Sequence, residues 1–519
     1  MARTAAFALA FLALMAGPAQ ATTFEVVVVP GFSLDDLEDV EGRGAIGLLN
    51  PGAGPETSGA LARASLVTGE ARNSLRGGLP EGEPLVGLRP LGPGEEPFAA
   101  PGIYIGLPVG GRQPNDERYP IVVVGAGYEG VLTSDSTRIP GLVSVADVAP
   151  TALGREDALG FEPRESAAAR LLELDERIDA NNAVRLPATI LVCVLVVALA
   201  LVAPQAAVPG LAAALAANLL LGVAGVTAAW AVLAALVLAV VPGGPLLARA
   251  LRSPLALGLG LTAVVAGYAL ALGLDGTTVA LSPFGPTQNS RYYGLSNLLE
   301  TFLLVPALAG AALLRRSLGW TAFGAAALLA FVTVAGDRFG ADGGGAIVLA
   351  AGFAVLGVLL AGGGRRALAV ALALALAAAL GLLALDAAAG GSSHVTRALE
   401  DGPGGLAGDL AERVELSWER ATVSWLVGLT VLALLVLLVA LVVGVLRRPG
   451  PAAEKAVPLA FAAAVAASLV VNDSPTDVLL VGTTGYAAVA AGMLRADGTL
   501  SRLRARSPDA PRGGGLRRR

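Results

Sequence analysis

From Pro187 to about Leu494 the chain runs through one apolar stretch after another, broken only by short polar turns. That feature excludes most folds. An apolar run near twenty residues long satisfies its own backbone as a helix and covers the ~30 Å hydrocarbon core of a bilayer. Eleven such runs are expected, at 187–204, 207–223, 225–241, 255–273, 297–314, 319–335, 344–362, 367–386, 423–446, 456–471 and 478–494. Composition agrees, with 55% hydrophobic and 15% charged residues over 519 positions, too little charge for a soluble chain of this length. The fold class is therefore an α/β exported N-terminal domain followed by an all-α polytopic membrane bundle.

The stretch from Ala207 to Val241 tests the count. A single helix there would be about 52 Å long at 1.5 Å per residue, so two helices turning near Gly222–Gly225 are expected. Charge parity supports the same choice. With two helices, Arg249/Arg252, Arg315/Arg316, Arg365/Arg366, Arg447/Arg448/Lys455 and the tail Arg517–Arg519 fall on one side. By the positive-inside rule that side is the cytoplasm. The expected location is the plasma membrane, multi-pass, with the N-terminal domain outside and the C-terminus inside.

Four segments follow. Residues 1–21 read as an export signal, with Arg3, an apolar core from Ala5 to Met15 and the small-residue site Ala19-Gln20-Ala21. Residues 22–186 form an extracytoplasmic α/β domain, 187–494 the transmembrane helical domain, and 495–519 a basic cytoplasmic tail. The second segment carries 13 arginines against 25 acids, which excludes nucleic acid as its partner. Its clearest strands are FEVVVVP (Phe24–Pro30) and YPIVVVGA (Tyr119–Ala126), and ARLLELDERI (Ala169–Ile178) is an amphipathic helix. GAGYEG (Gly125–Gly130) has the spacing of a dinucleotide fingerprint, but strand and turn residues follow it where a helix is required. Cys193 is the sole cysteine, so no internal disulfide forms.

Parity places the polar clusters on the outer face. In LSPFGPTQNSRYYGLSNLLETF (Leu281–Phe302), Arg291, Tyr292 and Tyr293 suit either an interfacial belt or a binding rim. Asn297 and Glu300 share one helical face, and a carboxylate a turn inside an apolar run needs a partner or a wet cavity. Arg291 or Arg338 could supply that partner. Asp337, Arg338 and Asp342 occupy a glycine-rich turn, and Asn472 and Asp473 another. His394, the only histidine, is either a general base or an exposed loop residue. The helix after it repeats Leu406, Leu410, Val414 and Trp418 and is expected to lie on the outer leaflet. Substrate-binding candidates are therefore Arg291, Tyr292, Tyr293, Asn297, Glu300, Asp337, Arg338, Asn472 and Asp473, with His394 the catalytic one. Membrane lipids, and a lipid-linked envelope precursor, are the expected partners.

The N-terminal domain resembles the alkaline-phosphatase/phosphodiesterase superfamily in VVVVPGFSLDDL, NPGAGPETSGALARASLVTGE and LTSDSTRIPGLVSVADVAPTALG. An exported domain of this kind before many spans is similar in architecture to the phosphoethanolamine transferases. The resemblance implies a nucleophile position at Thr57 or Ser58. It also implies a two-metal site that this chain cannot furnish. Pro30-Gly31 stands where a metal-binding aspartate belongs, TSDST stands where TSDHG would, and 22–186 holds no histidine. No metal and no cofactor are expected, and the domain reads as a pseudoenzyme. The whole is expected to bind an envelope substrate at its outer face. A metal-independent outer-face transferase and a lipid or solute transporter (flippase) are the alternatives.

Overall fold

The computed structural model describes residues 23–125, 127–155, 159–286, 292–340, 342–388 and 402–505. Residues 1–22, where an export signal is expected, and the end of the basic tail, beyond residue 505, lie outside that range. The described chain divides into two compact units, Met1–Asp175 with Gln288–Tyr292, and Glu176–Thr287 with Tyr293–Arg519.

The first unit is built on a mixed sheet. Its strands are β1 (Val26–Val28), β2 (Ala45–Asn50), β4 (Leu88–Pro90), β5 (Gly102–Ile105), β7 (Tyr119–Val124), β8 (Gly130–Ser134), β9 (Leu142–Ser144) and β10 (Leu159–Glu162). They run in the order β10-β8-β2-β7-β5-β1-β4, with β9 also paired to β2. β7 lies antiparallel to both β2 and β5, while β1 pairs parallel with β4 and β5. β3 (Glu56–Thr57) and β6 (Gln113–Pro114) form a separate ladder. The β-branched runs of β1 and β7 are buried over most of their length, as strands in the middle of a covered sheet must be. Helix α1 (Gly59–Thr68) packs its Ala62 and Leu66 into the same core. β8 directly follows the turn after β7, so GAGYEG opens no helix and is not a dinucleotide loop. Gly130 is required at that turn: its φ is +78°, and a β-carbon there would meet Glu162 O at 2.2 Å.

The second unit is helical. α2 (Ala167–Val202) contains the division between the units; it is 36 residues long, about 54 Å at 1.5 Å per residue. It contains the amphipathic turn expected at Ala169–Ile178. There follow α3 (Pro204–Ala224), α4 (Ala229–Ala250), α5 (Pro254–Leu274), α6 (Asn297–Leu318), α7 (Trp320–Ala335), α8 (Gly343–Leu360) and α9 (Arg365–Ala388). α10 (Gly402–Thr422), α11 (Trp425–Leu446), α12 (Ala456–Val471) and α13 (Pro475–Ala505) complete it. Each of the eleven apolar runs lies on a helix. Among the described residues eight helices are long and apolar enough to cross a membrane, and α7 is a shorter apolar helix.

The expected break between Ala207 and Val241 is present. Gly225 adopts the left-handed conformation (φ +62°) that closes α3, and α4 begins four residues later. α4 contains one wide π turn over Ala239–Gly243, which accommodates the missing N–H of Pro242. Burial grades across the unit. α6 is 83% buried along its apolar window and α11 only 6%, so α6 is the central helix and α11 presents itself to lipid.

Candidate functional site

The N-terminus of α6 follows a turn that is locked from below. Asn218 of α3 is fully buried; its Nδ2 donates to Tyr268 Oη (2.9 Å) and Ser282 Oγ (3.0 Å), and its Oδ1 accepts from Phe284 N (3.0 Å). Ser296 Oγ then donates to Phe284 O (2.7 Å) and accepts from Leu299 N (3.1 Å), capping α6. From α2, Arg177 donates to Gly222 O (2.5 Å), Asn181 to Leu281 O (2.9 Å) and Arg185 to Gly285 O. Those three residues are four apart, on one face of α2, and they tie it to carbonyls at the end of α3 and in the turn before α6. Asn218 therefore fixes a turn, and its polarity at mid-helix is structural.

With the turn fixed, α6 delivers Asn297 and Glu300 to one end of the helical unit. Asn297 Nδ2 donates to Asp473 Oδ1 (3.1 Å) and Ser474 Oγ (3.3 Å). Arg420 of α10 closes the same group from the other side, 3.0 Å from Asp473 Oδ2, with further bonds to Asp473 O (3.0 Å) and Ser474 Oγ (3.1 Å). Arg185 pairs with Asp477 at 3.7 Å. These groups are part-buried, so the pairs are screened less than surface ones. They form a part-buried polar mouth.

A second tier lies beneath it and is closed to water. Glu300 is 1% exposed, Asn472 1% and Asp342 4%. Asn472 Nδ2 donates to Ser468 Oγ (2.8 Å) and Glu300 Oε2 (3.3 Å), and Ser417 Oγ holds the Asn472 carbonyl at 3.2 Å. Asp342 caps α8 through Gly345 N (3.1 Å). Gly344 and Gly345, near the start of α8, let this tier pack close to the helix backbone. A β-carbon on Gly344 would stand 2.5 Å from Asn472 Oδ1 and 3.3 Å from Asp342 Oδ1; one on Gly345 would stand 3.2 Å from Glu300 Oε1. A carboxylate costs several kcal/mol in such surroundings. Glu300 offsets part of that by lying in the first turn of its own helix, where the dipole favours negative charge.

The other candidates go elsewhere. Asp337 is half-buried and Arg338 exposed, in the turn between α7 and α8. Tyr292 and Tyr293 are both buried but belong to different units, Tyr292 to the first and Tyr293 to the second. In the first unit, burial raises the Tyr292 hydroxyl well above its ordinary value, with Arg118 opposing and Asp147 adding to the shift. Arg291 and His394 lie outside the described residues.

At the position the phosphatase resemblance assigns to the nucleophile, one hydroxyl is buried and the other caps a helix. Thr57 is 2% exposed, and Ser58 Oγ caps α1 by accepting from Leu61 N at 3.1 Å. Asp147 is committed to its own loop. Its Oδ2 accepts from Ser134 Oγ (2.7 Å), Ser136 Oγ (2.7 Å) and Ser144 N (2.8 Å). Burial pushes its carboxyl up from the ordinary range, and the three donors work against that rise. Among the described residues no group of three His, Cys, Asp or Glu side chains is placed to hold a metal ion.

Sequence reasoning thus found Asn297, Glu300, Asn472 and Asp473 together and missed Arg420, Ser468, Ser474, Arg185 and Asp477. The last two announce themselves only as charges within a turn of an apolar run. Arg420 follows the Leu406–Trp418 repeat, and nothing in that repeat names its partner. No family model, no curated protein and no solved structure matches this chain.

Proposed function

We propose that this is a multi-pass plasma-membrane protein of the cell envelope that binds a lipid-linked or polymeric envelope substrate at its outer face. The observation that carries the reading is the convergence of Asn297, Asp473, Ser474, Arg420, Arg185 and Asp477 from four helices and one turn at a single end of the helical unit. An apolar bundle gains nothing in stability from gathering two arginines and two aspartates at one mouth. Guanidinium groups beside amide and hydroxyl groups, here held by aspartates that a ligand would displace, suit phosphate and sugar hydroxyls. Counting all eleven apolar helices as spans puts this mouth on the same face as the N-terminal domain and puts the paired arginines in the cytoplasm. The loops that carry Arg291, Arg338 and His394 open on that face by the same parity. The N-terminal domain, in which Thr57 is buried, Ser58 caps a helix and no histidine occurs, serves in binding or packing and not in hydrolysis.

The test is native mass spectrometry with lipid identification on protein purified in mild detergent. A retained polyprenyl-phosphate or glycolipid that is lost in Arg420→Ala and Asp473→Asn supports the mouth as its site. The same lipids at the same occupancy in both variants would sink the proposal. If His394→Ala leaves binding intact but abolishes a transfer activity, the transferase reading replaces simple binding.

A further inference from the structure

Helix ends set the depth of the mouth. α6 begins at Asn297, α11 at Trp425 and α13 at Pro475, and α12 ends at Val471. The mouth residues Asn297, Arg420, Asp473 and Ser474 therefore cluster at the ends of these helices. α6 and α11 are each 22 residues long, about 33 Å at 1.5 Å per residue, which matches the ~30 Å hydrocarbon core. α11 has no room to slide through that core, because Trp425 opens its apolar run and Arg447-Arg448 closes it. The mouth accordingly stands at the level of the lipid headgroups.

α10 joins it to a lipid-facing surface. Ser417 Oγ on Asn472 O and Arg420 on Asp473 tie one face of α10 to the turn after α12. Val414 and Trp418, four apart on another face, are exposed. Trp418 is 70% exposed and Trp425 80%, and exposed apolar groups continue through Val423, Leu426 and Leu429 into α11. The charges of Arg413, Glu415, Glu419 and Arg420 keep α10 out of hydrocarbon, so its apolar side chains belong in the interface, where indole rings are favoured. A polar cluster holding an arginine thus stands beside an apolar shoulder that leads into the bilayer.

We infer that the mouth takes a phosphate-bearing lipid from within the leaflet, with the headgroup on Arg420 and the chain along the shoulder of Trp418, Trp425 and Leu426. The inference rests on the reading of the mouth as a binding site and narrows it, from envelope substrates in general to one delivered laterally by the bilayer. Arg420 is part-exposed and meets Asp473 Oδ2 at 3.0 Å. A phosphate that replaces that carboxylate keeps the guanidinium paired and offers oxygens for bidentate bonding. Asn297 Nδ2 and Ser474 Oγ, which the same carboxylate engages, are then released to the headgroup. A lipid stays in the bilayer while it binds, so no chain leaves hydrocarbon for the headgroup to reach Arg420.

The experiment uses the full-length protein in phosphatidylcholine nanodiscs, with Trp230→Phe and Trp320→Phe so that tryptophan emission comes from Trp418 and Trp425 alone. Phosphatidic acid or phosphatidylcholine carrying an acyl-chain nitroxide near the glycerol is added at equal mole fraction. Phosphatidic acid should quench at least about twofold more strongly, because the arginine bonds its phosphate. Arg420→Ala should remove that difference and leave the quenching common to both lipids. Excess soluble glycerol phosphate should not compete; displacement by it would assign the mouth to a water-borne ester and overturn the inference. Quenching by aqueous iodide with none by either lipid overturns it, because the shoulder then faces water. Equal quenching by the two lipids overturns it too, because the mouth then does not recognise phosphate on a lipid. The two levels fail differently. Arg420-dependent binding of glycerol phosphate in detergent, without a lipid preference, keeps the mouth as a binding site and removes the lipid; binding of neither removes both. If the tryptophan variants do not fold, native mass spectrometry of the wild-type protein from the same two lipid mixtures decides, and equal retention of the two lipids overturns the inference.

Discussion

Replacing Asn218 by leucine should destabilise the helical unit by about 2–4 kcal/mol. The figure follows from what the amide holds. Its Nδ2 makes two bonds, to Tyr268 Oη and Ser282 Oγ, and side-chain bonds inside membrane bundles average roughly 0.6 kcal/mol each. Its Oδ1 accepts from Phe284 N, and leaving that backbone donor buried without a partner adds about 1–3 kcal/mol. Leucine keeps the branch at Cγ and leaves no cavity, so the loss counted here is polar. Tyr268→Phe is the internal comparison: it removes the bond to Leu215 O and one of the Asn218 bonds, leaves the Phe284 amide satisfied, and should cost only about 1 kcal/mol. The assay is unfolding in mixed detergent micelles titrated with a denaturing detergent, for the two single variants and the double variant. The cycle should show positive coupling, because both singles break the Asn218–Tyr268 bond. If Asn218→Leu proves no more harmful than Tyr268→Phe, the Phe284 amide has another partner, and the argument that Asn218 fixes the turn before α6 is wrong.

Three further outcomes are expected. Asp147→Asn should flatten the pH dependence of the first unit's stability. A carboxyl raised above its unfolded value binds its proton more tightly in the native state, so its contribution is complete below pH about 3.9 and is lost as pH rises through the raised value. Wild-type resistance to proteolysis should therefore fall across that window while the variant's does not; parallel profiles would refute the assignment. Arg118→Ala should destabilise the first unit by roughly 3–5 kcal/mol, because the guanidinium is almost fully buried and bonds the Asp175 carboxylate, the Asp175 carbonyl and Asp116 O; a thermal midpoint within two degrees of wild type would contradict it. Gly130→Ala should prevent β8 from pairing with β10, since its methyl would occupy the place of Glu162 O, and hydrogen exchange in Leu159–Glu162 should rise while that in β1 and β5 stays protected.

What the chain states in one dimension is legible without coordinates. A helix long enough to cross a bilayer needs only its own residues to satisfy its backbone, so run length alone located the helices from Pro187 onward. The break near Gly225 was legible for the same reason: a left-handed C-terminus is a local event that glycine permits. β1 and β7 were legible from their β-branched runs, although their neighbours in the sheet were not. The sites depended on pairings between distant segments. Glu300 meets Asn472 across 172 residues, and Asn297 meets Asp473 across 176. No periodicity in either segment names the other, and nothing in Arg420 announces Asp473. Two adjacent tyrosines that look alike in sequence, Tyr292 and Tyr293, belong to separate units, and Asn218, which reads as an isolated polar intruder, is the fastening of a turn. The sequence by itself determined which segments are apolar enough to be helices in a bilayer and where they must stop. Which polar helix ends share one mouth, and which buried amide packs against a glycine, was decided only by the packing of α6 among its neighbours.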